Sequence, residues 1–127
     1  MEKLNFDTGL QSYRINGGGV LRFNPADPNV YARFLEAAER IKAAEAELEG
    51  STDALAAMTA LDKKVKAMLS EVFGAGNDFD ALLGGVNLLA VASNGERVVT
   101  NLLTALQPVL TKGARLCAGE IAKRSRA

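Results

Sequence analysis

The chain has no histidine, no tryptophan and a single cysteine, Cys117. Without histidine, a nucleophile triad loses its usual base, and no Cys/His set can hold a zinc ion. One cysteine cannot close an internal disulfide, so the expected setting is the cytoplasm. Aromatic residues make up only 6% of the sequence. No apolar run approaches the roughly 18 residues that a membrane span requires, and no charged n-region followed by an apolar core opens the chain. A surplus of positive charge is missing too. With 15 basic and 15 acidic residues the formal charge is zero, which argues against a generic nucleic-acid binder.

What is present is a chain of 127 residues that is 48% apolar and rich in alanine. That is enough for one domain with a core of its own and closely packed helices. The expected fold is α+β, mainly α, in one domain over 1–127. It would contain a β-hairpin (1–24), a long antiparallel αα-hairpin (28–73), short helices (77–92) and a kinked C-terminal helix (94–124).

The organising stretch is Val72–Gly85. Gly74 stands where a helix C′ residue belongs, because glycine adopts positive φ without a Cβ clash. Asn77 is the expected N-cap of a new short helix, with Asp78 and Asp80 at its positive end. Phe79, Leu82 and Leu83 fall at i, i+3 and i+4, a small apolar knob before Gly84-Gly85.

In chain order, Tyr13 and Ile15 alternate with Ser12 and Arg14, and Val20, Leu21 and Phe23 lie beyond Asn16-Gly17-Gly18-Gly19. This is the signature of a β-hairpin, to which Leu4 and Phe6 would add a third short strand. The Gly-rich loop has neither a lysine nor a following helix, so a phosphate cradle is disfavoured. Asp27 and Pro28 read as N-cap and N1 of the first long helix. Its inner face is Tyr31, Phe34, Ala37/Ala38, Ile41, Ala44 and Leu48, and Gly50 ends it. Ser51 or Thr52 would cap the second helix, with Met58, Leu61, Val65, Met68 and Val72 inward and Leu55 and Leu69 widening the stripe. Val86–Ala92, with Leu88 and Leu89, reads as a helical turn or two. Ser93 and Glu96 form a capping-box pattern that would start the last helix near Asn94. Pro108 would kink that helix near Thr104.

Candidate chemistry is sparse. Asp78 and Asp80 stand at i,i+2 and point to different faces, so they do not make an acid–base pair. Cys117 has Arg115 nearby but neither base nor resolving cysteine, and reads as structural. Asp62 and Glu71 read as solvated helix faces. The sequence therefore points to no enzyme, no cofactor and no metal site. The basic end, with Lys112, Arg115, Lys123, Arg124 and Arg126, reads either as a solvated tail or as a surface for an acidic protein. It lacks the aromatic residues that stack on nucleic acid.

Five segments carry a resemblance: Tyr13-Arg14-Ile15-Asn16-Gly17, Leu21-Arg22-Phe23-Asn24-Pro25-Ala26-Asp27-Pro28, Val72-Phe73-Gly74-Ala75-Gly76, Asp80-Ala81-Leu82-Leu83-Gly84 and Asn101-Leu102-Leu103. In this order they resemble small proteins encoded in the tail-gene clusters of long-tailed bacteriophages and prophages, of the tail assembly chaperone type. The short loop between the two hairpin helices and the alanine-rich middle depart from that family. The resemblance implies a non-enzymatic role: binding a protein partner, the tape-measure or tail-tube protein, in the bacterial cytoplasm, with homo-oligomers possible. It implies contacts at Phe79, Leu82, Leu83, Leu88 and Leu89, provided they are exposed, beside the basic Arg115, Lys123 and Arg124. Two other readings remain: a structural virion component of the tail or head–tail connector, and a small nucleic-acid-binding regulator.

Overall fold

A computed structural model describes residues 1–126, Arg126 without its side chain. The fold is α+β and mainly α. A two-stranded antiparallel hairpin, β1 (Gln11–Arg14) and β2 (Val20–Phe23), precedes four helices. These are α1 (Pro28–Leu48), α2 (Ala54–Phe73), the single turn α3 (Phe79–Leu82) and the long α4 (Val98–Arg126).

Tyr13 faces Leu21 and Gln11 faces Phe23 across the hairpin. The connection turns through Asn16 and Gly17, at φ 50° and 75°, where asparagine and glycine are best tolerated. Leu4 and Phe6 form no strand; they stand 90% and 80% exposed in an N-terminal arm. The arm leaves the hairpin at Thr8, whose carbonyl accepts from Asn24 Nδ2 (3.0 Å), and Gly9, whose N–H donates to Asp7 Oδ1 (2.7 Å). No backbone hydrogen bond joins residues 1–7 to β1.

Asp27 caps α1, accepting from the Asn29 N–H at 2.9 Å, with Pro28 next in line. Val30, Phe34, Ala37 and Ile41 are its buried face, with Tyr31, Ala44 and Leu48 packed beside them. The cap of α2 is Asp53, not Ser51 or Thr52: its carboxylate accepts from the Ala56 N–H at 3.1 Å. Leu61, Val65, Leu69, Val72 and Phe73 turn inward, whereas Leu55 in the first turn is 78% exposed because α1 has already ended there. Gly74 closes α2 at φ 110°. The Arg33 guanidinium of α1 donates twice to the Val72 carbonyl (3.0 and 3.2 Å), joining the two helices at that end. Phe73 is the hub of an aromatic cluster, with Phe23, Phe79 and Phe34 at centroid distances of 4.7, 5.7 and 6.5 Å. Tyr13 stacks on Phe23 at 5.2 Å.

Residues 86–92 are not helical. The Leu88 N–H donates to Asp62 Oδ1 of α2 at 2.7 Å, while the Leu88 and Ala90 carbonyls accept from Val99 and Val98, the first residues of α4. A segment that turns at Leu88–Leu89 thus caps α4 with its backbone carbonyls. Ser93 and Glu96 fall in a tight turn closed by an Ala92–Glu96 backbone bond of 2.7 Å, so α4 begins at Val98, four residues later than the capping pattern suggested. The helix then runs through Pro108 as one element. The carbonyl that Pro108 leaves unpaired belongs to Thr104, which is exposed to water.

Candidate functional site

At the central turn, four of the five expected contact residues belong to the core. Phe79, Leu82, Leu88 and Leu89 are all buried, between 0% and 8% exposed, and only Leu83 reaches the surface in part. The condition attached to them, exposure, fails for four of the five. Phe79 packs in the aromatic cluster, and Leu88 and Leu89 are fully buried in the same core. Asn77 does not cap α3. Its side chain is buried, with Oδ1 accepting from the Arg22 N–H and Nδ2 donating to the Arg22 and Phe73 carbonyls, each at 2.9 Å. The cap is Asp78, which accepts from the Asp80 and Ala81 N–H groups.

Beside this turn lies an ionic cluster that the sequence reading missed. Lys66, 7% exposed, reaches Asp80 at 2.6 Å and Asp62 at 2.9 Å. Asp62 is therefore not a solvated helix residue. It holds Lys66 with one oxygen and the Leu88 N–H with the other. Burial alone would lower the Lys66 pKa, but hydrogen bonds to Asp80 and Asp62 and their two negative charges outweigh it, and the pKa is raised. The cluster clamps α2, α3 and the 86–92 segment together. Its signal in the sequence was Asp62–Lys66 at i,i+4, indistinguishable there from an exposed pair.

The concave apolar surface lies elsewhere, along α4. A groove of ≈ 650 Å³ separates the hairpin from α4, lined by Tyr13, Ile15, Leu83, Val98, Leu102 and Val109 among others. Two shallower stretches, ≈ 470 and ≈ 450 Å³, continue it past Ala26 and Leu116 to Ile121. Gly113 lets α4 touch the turn before α1: a Cβ there would lie 1.8 Å from the Pro25 carbonyl oxygen. One turn on, the Cys117 thiol donates to the Ala26 carbonyl at 2.6 Å, so Cys117 is a half-buried tether. Beyond it α4 is exposed on all sides. Leu116 and Ile121 are 64% and 67% exposed, beside the exposed Arg115, Lys123 and Arg124. The Arg126 side chain lies outside the described residues.

Among the described residues there is no group of three or more His, Cys, Asp or Glu placed to hold a metal ion, and no helix long and apolar enough to cross a membrane. Comparison with family models, curated proteins and solved structures returned no match.

Proposed function

We propose that this chain is a non-enzymatic binding protein of phage tail assembly, a chaperone that shields apolar stripes of the helical tape-measure protein until the tail tube covers them. The observation that carries this reading is the outer end of α4. There, Leu116 and Ile121 stand exposed above an apolar trough and are flanked by Arg115, Lys123 and Arg124, the last paired with Glu120 at 3.8 Å. The occupant that suits it is an amphipathic helix laying i, i+3, i+4 and i+7 anchors along the trough, with acidic residues at its margin. Charge complementarity of this kind favours rapid capture, and a small apolar contact favours release. The tape-measure identity itself rests on the sequence resemblance, and the protein acts in the bacterial cytoplasm, where tails assemble.

The test is co-expression with the tape-measure protein of the same gene cluster, followed by affinity capture and light scattering. The expected result is a soluble complex of defined stoichiometry with a partner that aggregates alone, lost in a Leu116→Ser/Ile121→Ser variant. A soluble lone protein that captures nothing would overturn the reading.

A further inference from the structure

The two edges of the hairpin are finished differently. The outer edge of β2 is closed at Arg22, because the Asn77 side chain bonds both the N–H and the C=O of that residue, as a neighbouring strand would. Since Arg22 points those groups outward and is paired with Ser12, the Ser12 N–H and C=O also point outward, on the opposite edge. The Ile15 N–H to Gly19 carbonyl bond (2.9 Å) sets the same alternation, which turns Arg14 outward as well. Ser12 and Arg14 are exposed, and among the described residues no partner meets their backbone groups on that side. Next to this open edge lies the ≈ 650 Å³ groove, apolar apart from Arg14, Asn16 and Asn101. The β1 edge of this two-stranded sheet is thus open beside a groove lined mostly with apolar side chains.

The chain carries a segment suited to that position. In the arm, Leu4 and Phe6 alternate with Lys3, Asn5 and Asp7, the pattern of a strand with one apolar face. Four of the five phenylalanines form the aromatic cluster, and Phe6 is the fifth, 80% exposed. The arm does not fold back on its own β1. Its root is held by Asn24, beyond the end of β2, the chain turns at Gly9 (φ 78°), and no backbone hydrogen bond joins residues 1–7 to β1.

We infer that the arm of one copy adds as a third strand to the β1 edge of a second copy. Set antiparallel with Phe6 opposite Tyr13 and Leu4 opposite Ile15, the arm turns both apolar side chains into the groove. Asn5 and Asp7 then exchange backbone hydrogen bonds with Arg14 and Ser12. The same register places the Asp7 carboxylate diagonally beside the Arg14 guanidinium, and Arg14 is the only charged residue lining the groove. Reciprocal exchange of two arms gives a closed two-fold dimer. The inference is independent of what the outer end of α4 binds.

The experiment is sedimentation of the full chain over a range of concentrations, with amide hydrogen exchange at Ser12 and Arg14. The wild-type protein is expected at twice the chain mass, with both amides protected. Phe6→Asp, in an exposed arm where the monomer fold does not depend on it, should halve the mass and speed exchange at both amides at least tenfold. Ser12→Pro, which removes an outward N–H and no bond to β2, should also halve the mass. The inference is overturned by a wild-type monomer at all concentrations, by an oligomer that Phe6→Asp leaves intact, or by slow Ser12 and Arg14 exchange in a monomer, which would put the arm on its own edge. Loss of the dimer with partner capture retained would separate this interface from the proposed chaperone surface.

Discussion

The central turn and the outer end of α4 are made of similar residues and meet opposite fates. Both carry aliphatic side chains next to charged residues and glycines. At the turn, Phe79, Leu82, Leu88 and Leu89 are buried; at the end of α4, Leu116 and Ile121 are not. The difference lies in the polar groups between them. Around the turn each interruption of backbone pairing is met by a side chain: Asn77 on Arg22 and Phe73, Ser70 on the Asn77 carbonyl, Asp62 on the Leu88 N–H. Those bonds make it possible to bury irregular backbone, and the apolar side chains are buried with it. The outer end of α4 is regular helix that satisfies itself, so nothing local requires it to be covered. An apolar stripe does not declare whether it faces core or partner; the polar groups around it do.

The contrast is broken most severely at Asn77. Asn77→Ala leaves the buried Phe73 carbonyl and the part-buried N–H and C=O of Arg22 without this partner, and a buried group so left costs about 1–3 kcal/mol. We expect a loss of roughly 2–4 kcal/mol in urea unfolding, with the hairpin detaching from α2 and α3. Gly113→Ala comes next. The added methyl collides with the rigid backbone at Pro25, and overpacking of this kind costs about 1–3 kcal/mol. Chemical denaturation should report that loss, and greater solvent access to the Cys117 thiol should accompany it.

Much of this architecture was legible in the chain, and the failures share one cause. The hairpin, the Asp27–Pro28 start of α1 and the Gly74 stop of α2 are local signals with local mechanisms, and the structure keeps them. Ser93 and Glu96 also match a local pattern, but a backbone turn occupies them and the carbonyls of Leu88 and Ala90 start α4 instead. Asn77 was read as a cap because its partner Arg22 lies 55 residues away, and no spacing rule reaches that far. Asp62 and Lys66 looked solvated because an i,i+4 pair looks the same buried or exposed. Of the residues singled out for binding, the basic Arg115, Lys123 and Arg124 do lie on the surface, while four of the five apolar ones are core.

A change of pH sharpens the comparison on the side of the turn. The Lys66 pKa is raised on folding, so its charge contributes stability that is fully present below the ordinary lysine value of 10.5 and is lost as pH rises through the higher folded value. Urea midpoints should therefore fall above about pH 10.5, and Lys66→Met should remove part of that dependence.

The smallest effect on stability is expected at the outer end of α4, and there it carries the most information. Leu116 and Ile121 bury little, so Leu116→Ser/Ile121→Ser should change the unfolding free energy by no more than about 0.5 kcal/mol. Circular dichroism would show α4 retained. If these leucine and isoleucine side chains belong to a partner site, the same nearly silent change must weaken capture at least tenfold, since a few central side chains carry most of an interface's binding energy. Arg115→Ala and Lys123→Ala, by contrast, should act mainly on the association rate and its salt dependence. Substitutions in the buried turn would lower stability and capture in proportion. Only at the outer end of α4 should the two measurements part, and that separation is what distinguishes a binding surface from a core.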